Sequence, residues 1–232
     1  MIIRKAQRIL CLAAALLAVA PLCAGKNDVK EIADRVADWQ IANFKNVTYT
    51  GKKRAVLDWA NGALFRGMVE WAQKTGYQPS ENFVMNIGKA NDWQMARRLY
   101  HADDICVGQS FLLLYEEHKD PAMLLHVKER ADSVIDIRSH VPMDIRIKGG
   151  QERWCWCDAL FMAPPVYSML TQITGDRKYA DFMKEEFVAT TNHLFDTEYD
   201  LYYRDARYLD KTESNGAKVF WGRGNGWCYA AL

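Results

Sequence analysis

The sequence has almost no excess of charge of either sign. Its 232 residues carry 30 Lys and Arg against 29 Asp and Glu, which gives a formal net charge of +1. Proteins that bind nucleic acid concentrate basic residues on one face or in one segment, and this sequence has no such stretch. The charge balance gives no electrostatic support for nucleic-acid binding, and we expect no nucleic-acid partner.

Cysteine is too sparse and too irregularly spaced to form a disulfide framework. Two of the six cysteines lie in the first 24 residues, and the other four lie beside predicted helix starts: Cys106, Cys155, Cys157 and Cys228. The commonest role of such a cysteine is that of a small buried apolar side chain. A single Cys-x-Cys pair with no second pair is a weak metal signal. We therefore expect no metal and no cofactor.

The chain also lacks an apolar run long enough to span a bilayer. Residues 9–20 (ILCLAAALLAVA) are apolar, but they are too few for a transmembrane helix. The basic residues Arg4, Lys5 and Arg8 precede this run, and residues 21–24 (PLCA), which follow it, are suited to a processing site. This order is typical of a secretory signal, which we predict over residues 1–24.

A secretory signal implies export, so we expect the protein to be periplasmic or secreted. The residue before a lipidated cysteine is preferably small, and Leu22 is large, which disfavours a lipid anchor at Cys23. Residues 25–232 are long enough to bury one substantial core, and we predict a single domain over that range. The sequence assigns no oligomeric state.

From residue 26 onward, apolar residues recur at the three- to four-residue spacing of helices, and sustained strand alternation is missing. Two helix pairs repeat, with residues 105–118 before 122–138 and residues 158–173 before 178–194. A tight turn joins the members of each pair, and the first member is the more apolar. The repeat predicts an all-α fold of stacked helical hairpins with an inner and an outer layer, a toroid or solenoid of helix pairs.

Functional groups concentrate in the loops just before the apolar inner helices. If the inner helices run parallel, these loops meet on one rim of the fold, and acids, an arginine and tryptophans line one cavity. Acids at helix starts also act as simple caps, which is the alternative for each of them. The loops are residues 58–62, 101–104, 153–158 and 220–227.

The strongest single candidate is Asp158, within residues 153–165 (RWCWCDALFMAPP). Bulky aromatics precede this acid and an apolar helix follows it. An apolar setting disfavours the ionised carboxylate and raises its pKa, as a general acid that works near neutral pH requires. A helix N-cap is the competing interpretation, and the two roles are compatible.

The tryptophans and one arginine indicate the class of ligand. Several of the 8 tryptophans lie in these loops, where an aromatic ring offers a flat platform for the C–H face of a sugar. The candidates are Trp59, Trp154, Trp156 and Trp227. Arg223 lies in a Gly-rich loop, from which its guanidinium can bind a carboxylate, so an acidic sugar fits better than a neutral one. A solvated or backbone-binding arginine is the alternative.

Three stretches resemble the unsaturated rhamnogalacturonyl hydrolases, glycoside hydrolase family 105, and more distantly the unsaturated glucuronyl hydrolases of family 88. They are residues 103–109 (DDICVGQ), 156–165 (WCDALFMAPP) and 220–227 (FWGRGNGW). The resemblance extends over nearly all of the mature chain. It implies an (α/α)6 barrel, in agreement with the hairpin repeat.

The resemblance also implies an unusual hydrolysis of a Δ4,5-unsaturated uronic acid at the non-reducing end of an oligosaccharide. An acid protonates the double bond, water adds, and the resulting hemiketal opens with loss of the glycosidic bond. By position in the motifs, Asp158 is the general acid and base and Asp103 the second acid. Asp104, Arg223, Asn225 and Trp227 complete the implied substrate site, together with the tryptophans named above.

The sequence departs from the family pattern at two positions and in length. Many relatives carry a histidine shortly before the catalytic stretch and another after a Leu-Tyr-Tyr, where this chain has residues 151–153 (QER) and Arg204. Few residues follow the third motif, so we interpret the sequence as a C-terminally truncated barrel. A family 88-like hydrolase of glycosaminoglycan disaccharides and a catalytically silent carbohydrate-binding barrel are the alternative functions.

Overall fold

The structure is a computed structural model that describes residues 26–46 and 53–232. The predicted signal, residues 1–24, lies outside the described residues. Helix α1 (Lys26–Asn43) leads from a first compact unit, which ends at Gln40, into a second unit that runs from Ile41 to Leu232. Among the described helices, none combines the length and apolar character needed to cross a membrane.

Three helical hairpins form the body of the second unit. The first helix of each hairpin packs against the first helix of the next, which makes the inner layer, and the second helix packs on its own partner. The predicted hairpin repeat is therefore present in the structure. The hairpins are α2 (Trp59–Thr75) with α3 (Gln78–Ala90), α5 (Gly108–His118) with α6 (Pro121–Asp136), and α8 (Pro164–Thr174) with α9 (Arg177–Leu194).

Capping residues set the tight turns of these hairpins. The carboxylate of Asp120 accepts a hydrogen bond from the Ala122 N–H at the start of α6, and Asp176 accepts one from the Lys178 N–H at the start of α9. Gly175 ends α8 with a φ of 73°, a left-handed conformation that glycine adopts without strain. The turn sequences therefore place the second helix of each pair directly beside the first.

Shorter elements connect the hairpins and lead to the last helix. Strands β1 and β2 pair antiparallel, with Phe195 opposite Tyr202, and two residues each are too few to show alternation in the sequence. The final helix packs on α7 and β2. These elements are α4 (Ala102–Ile105), a 3₁₀ turn (Gly150–Glu152), α7 (Ala159–Met162), β1 (Phe195–Asp196), β2 (Leu201–Tyr202) and α10 (Gly222–Ala231).

The helix predicted over residues 158–173 is two helices in the structure, α7 and α8. Pro164 and Pro165 begin α8 and have no N–H to donate back into α7, so that helix ends after one turn. The amide of Gln109 on α5 replaces the donor that Pro165 lacks, with Nε2 2.8 Å from the Phe161 carbonyl, and it also lies 3.0 Å from the Met162 carbonyl. Gln109 is fully buried, so its position depends on this pairing.

The inner layer packs closely where α2 crosses the junction of α4 and α5. A Cβ added at Gly62 would lie 2.9 Å from the Val107 nitrogen and 3.1 Å from the Cys106 sulfur. Backbone cannot yield as a flexible side chain does, so only glycine permits this approach.

We predict that Gly62→Ala lowers the free energy of unfolding by about 1–3 kcal/mol, because the added methyl forces α2 away from the Val107 backbone. Urea denaturation of the full-length protein measures the change. Gly67 lies on the same helix with nothing within 4 Å of an added Cβ. Gly67→Ala should therefore stabilise by about 0.5–1 kcal/mol through helix propensity. Equal effects of the two substitutions would contradict the close packing at Gly62.

Candidate active site

The four loops that precede inner helices in the sequence meet at one cavity of ≈570 Å³. Each loop contributes at least one side chain to its wall. Five of the nine site residues predicted from the sequence line it: Trp59, Asp103, Trp156, Asp158 and Arg223. A cavity of this kind, with acids, arginines and aromatic rings together, has the composition of a site for an acidic sugar.

Asp158 is held in the cavity wall by the strand-like segment that precedes it. Trp156 forms an antiparallel bridge with Asp205, and the Cys157 N–H donates to the Arg204 carbonyl at 2.9 Å. Asp158 then occupies the first position before α7, but its side chain makes no capping hydrogen bond. The structure therefore gives no support to the N-cap interpretation, and the carboxyl is left at the cavity.

Burial sets the protonation of Asp158. Only 8% of the residue is exposed. Loss of water around the carboxylate raises the pKa of Asp158 above its ordinary value, although the positive charges of Arg204 and Arg223 oppose that rise. The neutral acid is thus favoured more than it is in water, as general acid catalysis near neutral pH requires.

Asp103 is the second candidate acid of the cavity, a half-buried residue at the start of α4. Its N–H donates to Nδ1 of His101 at 3.3 Å, which caps this short helix. Burial raises the pKa of Asp103 to about 7, and the negative charge of Asp158 adds to that rise. The pKa of Asp103 therefore depends on whether Asp158 is ionised.

His101 remains neutral beside these acids. Burial, and then the positive charge of Arg98, lower the pKa of His101 to about 4. Its ring packs against Trp156 with ring centroids 4.8 Å apart. The imidazole therefore adds no positive charge to the cavity at neutral pH, and the cationic groups of the wall are the arginines.

Asp104 does not line the cavity, which corrects its predicted place in the substrate site. One carboxylate oxygen accepts from the Arg98 N–H at 2.7 Å, and the other accepts from Nη2 at 2.6 Å and Nε at 3.1 Å. Burial alone would raise the pKa of Asp104, but these hydrogen bonds outweigh burial and lower it. Asp104 holds Arg98, and Arg98 is the residue that reaches the cavity.

Three other predicted substrate contacts also lie away from the cavity. Trp154 is 2% exposed, with its ring 5.9 Å from those of Tyr167 and Phe182 in the core. The Thr190 hydroxyl donates to its carbonyl at 2.6 Å and draws this residue towards α9. Trp154 is therefore a packing residue, and its ring has no face free for a sugar.

Asn225 and Trp227 are used to pack α10. The Asn225 amide accepts from the Tyr202 N–H at 2.8 Å and donates to the Tyr202 carbonyl at 3.0 Å, so it joins α10 to β2. The Trp227 ring lies 4.5 Å from Phe161 on α7. Both side chains hold the helix that carries Arg223, and neither reaches the cavity.

Sequence reasoning missed several residues of the cavity wall. Arg204 lies over Tyr208 and Trp221, with its guanidinium 5.6 Å and 5.5 Å from the ring centroids, and Arg223 lies 4.5 Å from the same Trp221 ring. Trp221 belongs to the recognised third motif, but Arg204 and Tyr208 follow β2, outside the four loops. Their only sequence signal is that Arg204 stands where many relatives carry histidine.

One group among the described residues has metal-ligand spacing, and it lies outside the cavity. Glu81, Glu117 and His118 place ligand atoms within 4.8 Å of one another. The Glu81 carboxylate already pairs with Nε2 of His118 at 2.9 Å, and the other two residues are exposed. Paired and exposed groups of this kind give no support for a metal site, and the absence of a metal stays a prediction.

The sequence and the fold have counterparts in known proteins. The profile of Glycosyl Hydrolase Family 88 matches residues 32–232. The chain belongs to this family. This match confirms the predicted relationship to the family. The all-α barrel fold is confirmed as well, since a solved family 88 structure from Bacteroides vulgatus superposes with a TM-score of 0.68 at 24% identity. That match covers 85% of this chain and 59% of the other.

Two curated relatives in this family carry the name unsaturated 3S-rhamnoglycuronyl hydrolase. The protein from Alteromonas sp. (strain LOR) is 34% identical over 229 residues, which cover 91% of this chain and 55% of the relative. The protein from Formosa agariphila is 33% identical over 192 residues, 77% of this chain and 50% of the relative. The chain thus spans about half the length of the curated relatives it matches.

We predict that Asp158→Asn lowers the pKa of Asp103 below about 7, because the substitution removes a neighbouring negative charge. The pKa should stay above the ordinary 3.8, since burial is the larger cause of the rise. Titration of the carboxyl carbon signals by NMR measures it.

Asp58→Asn is the matched control for this titration. Asn retains the N-cap of α2, and Asp58 is the smallest of the charges that raise the pKa of Asp103, so the fall should be smaller. An Asp103 pKa that does not respond to Asp158→Asn would mean that the two acids are not coupled.

Proposed function

We propose that the protein is a hydrolase that removes a Δ4,5-unsaturated uronic acid from the non-reducing end of rhamnose-containing oligosaccharides. The observation that carries this proposal is a pair of acids, the buried Asp158 and the half-buried Asp103, which both have raised pKa values and line one cavity with Arg204 and Arg223. The names of the two curated relatives support the substrate class.

Protonation of a carbon–carbon double bond demands an acid that still holds its proton near neutral pH. In the proposed reaction Asp158 gives its proton to C4 of the unsaturated sugar, and positive charge develops at C5 beside the ring oxygen. Water then adds its oxygen to C5 and returns a proton to Asp158. The hemiketal so formed opens at the ring oxygen, and the unstable open form releases the leaving sugar.

Asp103 has a supporting part in this scheme. Its neutral form donates a hydrogen bond to a sugar hydroxyl, and its ionised form would raise the pKa of Asp158 further. Because the anomeric carbon is never displaced directly, the spacing of the two carboxyls does not predict retention or inversion.

The arginines and aromatic rings of the wall suit the uronate itself. Arg223 has no ion pair among the described residues, so its guanidinium is available to bind the sugar carboxylate. Trp59 and Trp156 offer apolar faces to the C–H side of the ring. Arg204 is a second cation near Asp158, where a histidine in many relatives would carry less charge.

The identity of the leaving sugar is the finer part of the proposal. The resemblance to rhamnogalacturonyl hydrolases suggests a pectin fragment, and the relatives named for rhamnoglycuronyl substrates suggest a rhamnose linked to a uronic acid. Both have an unsaturated uronate joined to rhamnose. Glycosaminoglycan disaccharides, in which the leaving sugar is an amino sugar, are the alternative. Export of the protein is likewise a proposal that rests on residues 1–24.

We predict that Asp158→Asn lowers kcat at least 10²-fold on an unsaturated uronyl-rhamnose disaccharide, while the disaccharide still binds. An amide of the same shape keeps the cavity but has no proton to give. Loss of the ultraviolet absorbance of the double bond measures turnover of the full-length protein, and calorimetry measures binding.

Asp181→Asn is the matched control, because it makes the same chemical change on an exposed position of α9. It should turn over the disaccharide at the rate of the unchanged protein. Retained turnover in Asp158→Asn would overturn the assignment of the acid. Binding without turnover in the unchanged protein, on rhamnose-linked and glycosaminoglycan disaccharides alike, would indicate a carbohydrate-binding barrel.

We also predict that kcat/KM falls by up to about tenfold per pH unit above about pH 7, since Asp103, whose pKa is about 7, must hold a proton to donate a hydrogen bond to the sugar. The measurement is the rate of absorbance loss across the pH range at low substrate. A rate that is constant up to about pH 9 would show that the reaction does not need the protonated form of Asp103.

A further inference from the structure

A second chamber of ≈400 Å³ opens beside the active-site cavity. The two share four wall residues: Arg98, His101, Ile145 and Gln151. Asp158, Arg204 and Arg223 line only the first cavity. The second chamber therefore continues the first on the side away from the residues proposed to hold the reacting uronate.

We infer that this second chamber is a subsite for the continuing oligosaccharide, in which Arg98 binds the carboxylate of a second uronic acid. The inference rests on the proposed function and names the length and charge of its substrate. In a chain that alternates rhamnose with uronic acid, the first anionic group beyond the leaving rhamnose belongs to the next uronate.

Arg98 is built as a fixed cation at the junction of the two spaces. Asp104 binds its Nε and Nη2, and the side chain of Arg130 on α6 donates to the Arg98 carbonyl at 2.9 Å and to the Ala96 carbonyl at 2.9 Å. The guanidinium is thus oriented before any ligand arrives, which reduces the entropy lost on binding.

Part of the Arg98 guanidinium is still available to bind a ligand. The Nη1 group of Arg98 takes part in no hydrogen bond within residues 53–232, and the side chain is 57% exposed. A charge-assisted hydrogen bond from such a group to a carboxylate is among the stronger polar contacts that a protein makes. A neutral sugar at this position would receive a weaker contact.

The remaining wall suits a sugar. Ile145 and Ile147 offer apolar surface for a C–H face, and the Gln151 amide is unpaired among the described residues and faces both spaces. Glu152 also lines the chamber, but the Ser139 hydroxyl already donates to its carboxylate at 2.7 Å. Arg98 is the one cationic side chain among the described residues of this chamber wall, since His101 is neutral. Glu152 disfavours an anion elsewhere in the chamber, so a carboxylate is favoured only beside Arg98.

The test compares two substrates of the full-length protein. The disaccharide is an unsaturated uronate joined to rhamnose, and the tetrasaccharide carries one further uronate and one further rhamnose. We expect a kcat/KM about tenfold higher for the tetrasaccharide, and a ratio near one in Arg98→Gln, because a lost charged contact of this kind costs about a factor of ten. Ile147→Trp, which fills the chamber without removing a charge, should lower the same ratio.

Arg97→Gln is the matched control, since Arg97 is the exposed neighbour in sequence and lines neither space. Its ratio should equal that of the unchanged protein. Added salt should lower the ratio in the unchanged protein and leave it constant in Arg98→Gln. A ratio that is near one in the unchanged protein, or that survives Arg98→Gln, would overturn the subsite.

Calorimetry separates this inference from the proposed function. If the protein turns over neither oligosaccharide, the proposed function fails, and the affinities of Asp158→Asn for the two still measure the subsite. Tighter binding of the tetrasaccharide that is lost in the Asp158→Asn, Arg98→Gln double variant supports the subsite alone. Equal affinities for the two oligosaccharides would overturn it.

Discussion

The active site depends on how the fold compensates for two consecutive prolines. Pro164 and Pro165 leave the carbonyls of α7 without their helical donors, and buried carbonyls without a partner are costly. The amide of Gln109 on α5 donates to two of these carbonyls, those of Phe161 and Met162, and Arg66 on α2 in turn donates to the Gln109 carbonyl oxygen. The one-turn helix that follows Asp158 is thereby joined to two inner helices, so the acid has a rigid support.

Small side chains allow the last helix to approach that support. A Cβ added at Gly224 on α10 would lie 2.7 Å from the Cys157 sulfur, and the Cys228 thiol donates to the Cys157 carbonyl at 3.2 Å. This close contact brings Arg223 into the wall that contains Asp158. Burial and the arginines then act on the same carboxyl with opposite sign, and burial prevails, so the pKa of Asp158 is raised.

Periodicity and turn residues were enough to predict the hairpins, because capping and apolar spacing are local properties of the chain. The position of the loops before inner helices was enough to bring Asp103 and Asp158 together. The wall formed by Arg204 was not predictable in the same way. Arg204 reaches the cavity because the backbone of residues 204–205 pairs with residues 156–157. These segments are almost fifty residues apart, and a contact between them leaves no periodic signal in the sequence. Trp154 was wrongly assigned to the substrate site, because the sequence does not show which of Trp154 and Trp156 packs inward against α9.

The neighbours Asp103 and Asp104 show why residue type and position alone do not assign a role. Burial acts to raise the pKa of both carboxyls, yet one pKa is raised to about 7 and the other is lowered. The difference is Arg98, whose guanidinium and N–H bind Asp104 directly and leave Asp103 with only a distant attraction. Asp104 therefore stays ionised and fixes a cation, while Asp103 retains a proton beside Asp158. Two adjacent acids thus supply an anchor and a proton-holding group, and a single turn of helix that points them in different directions is sufficient to separate these roles.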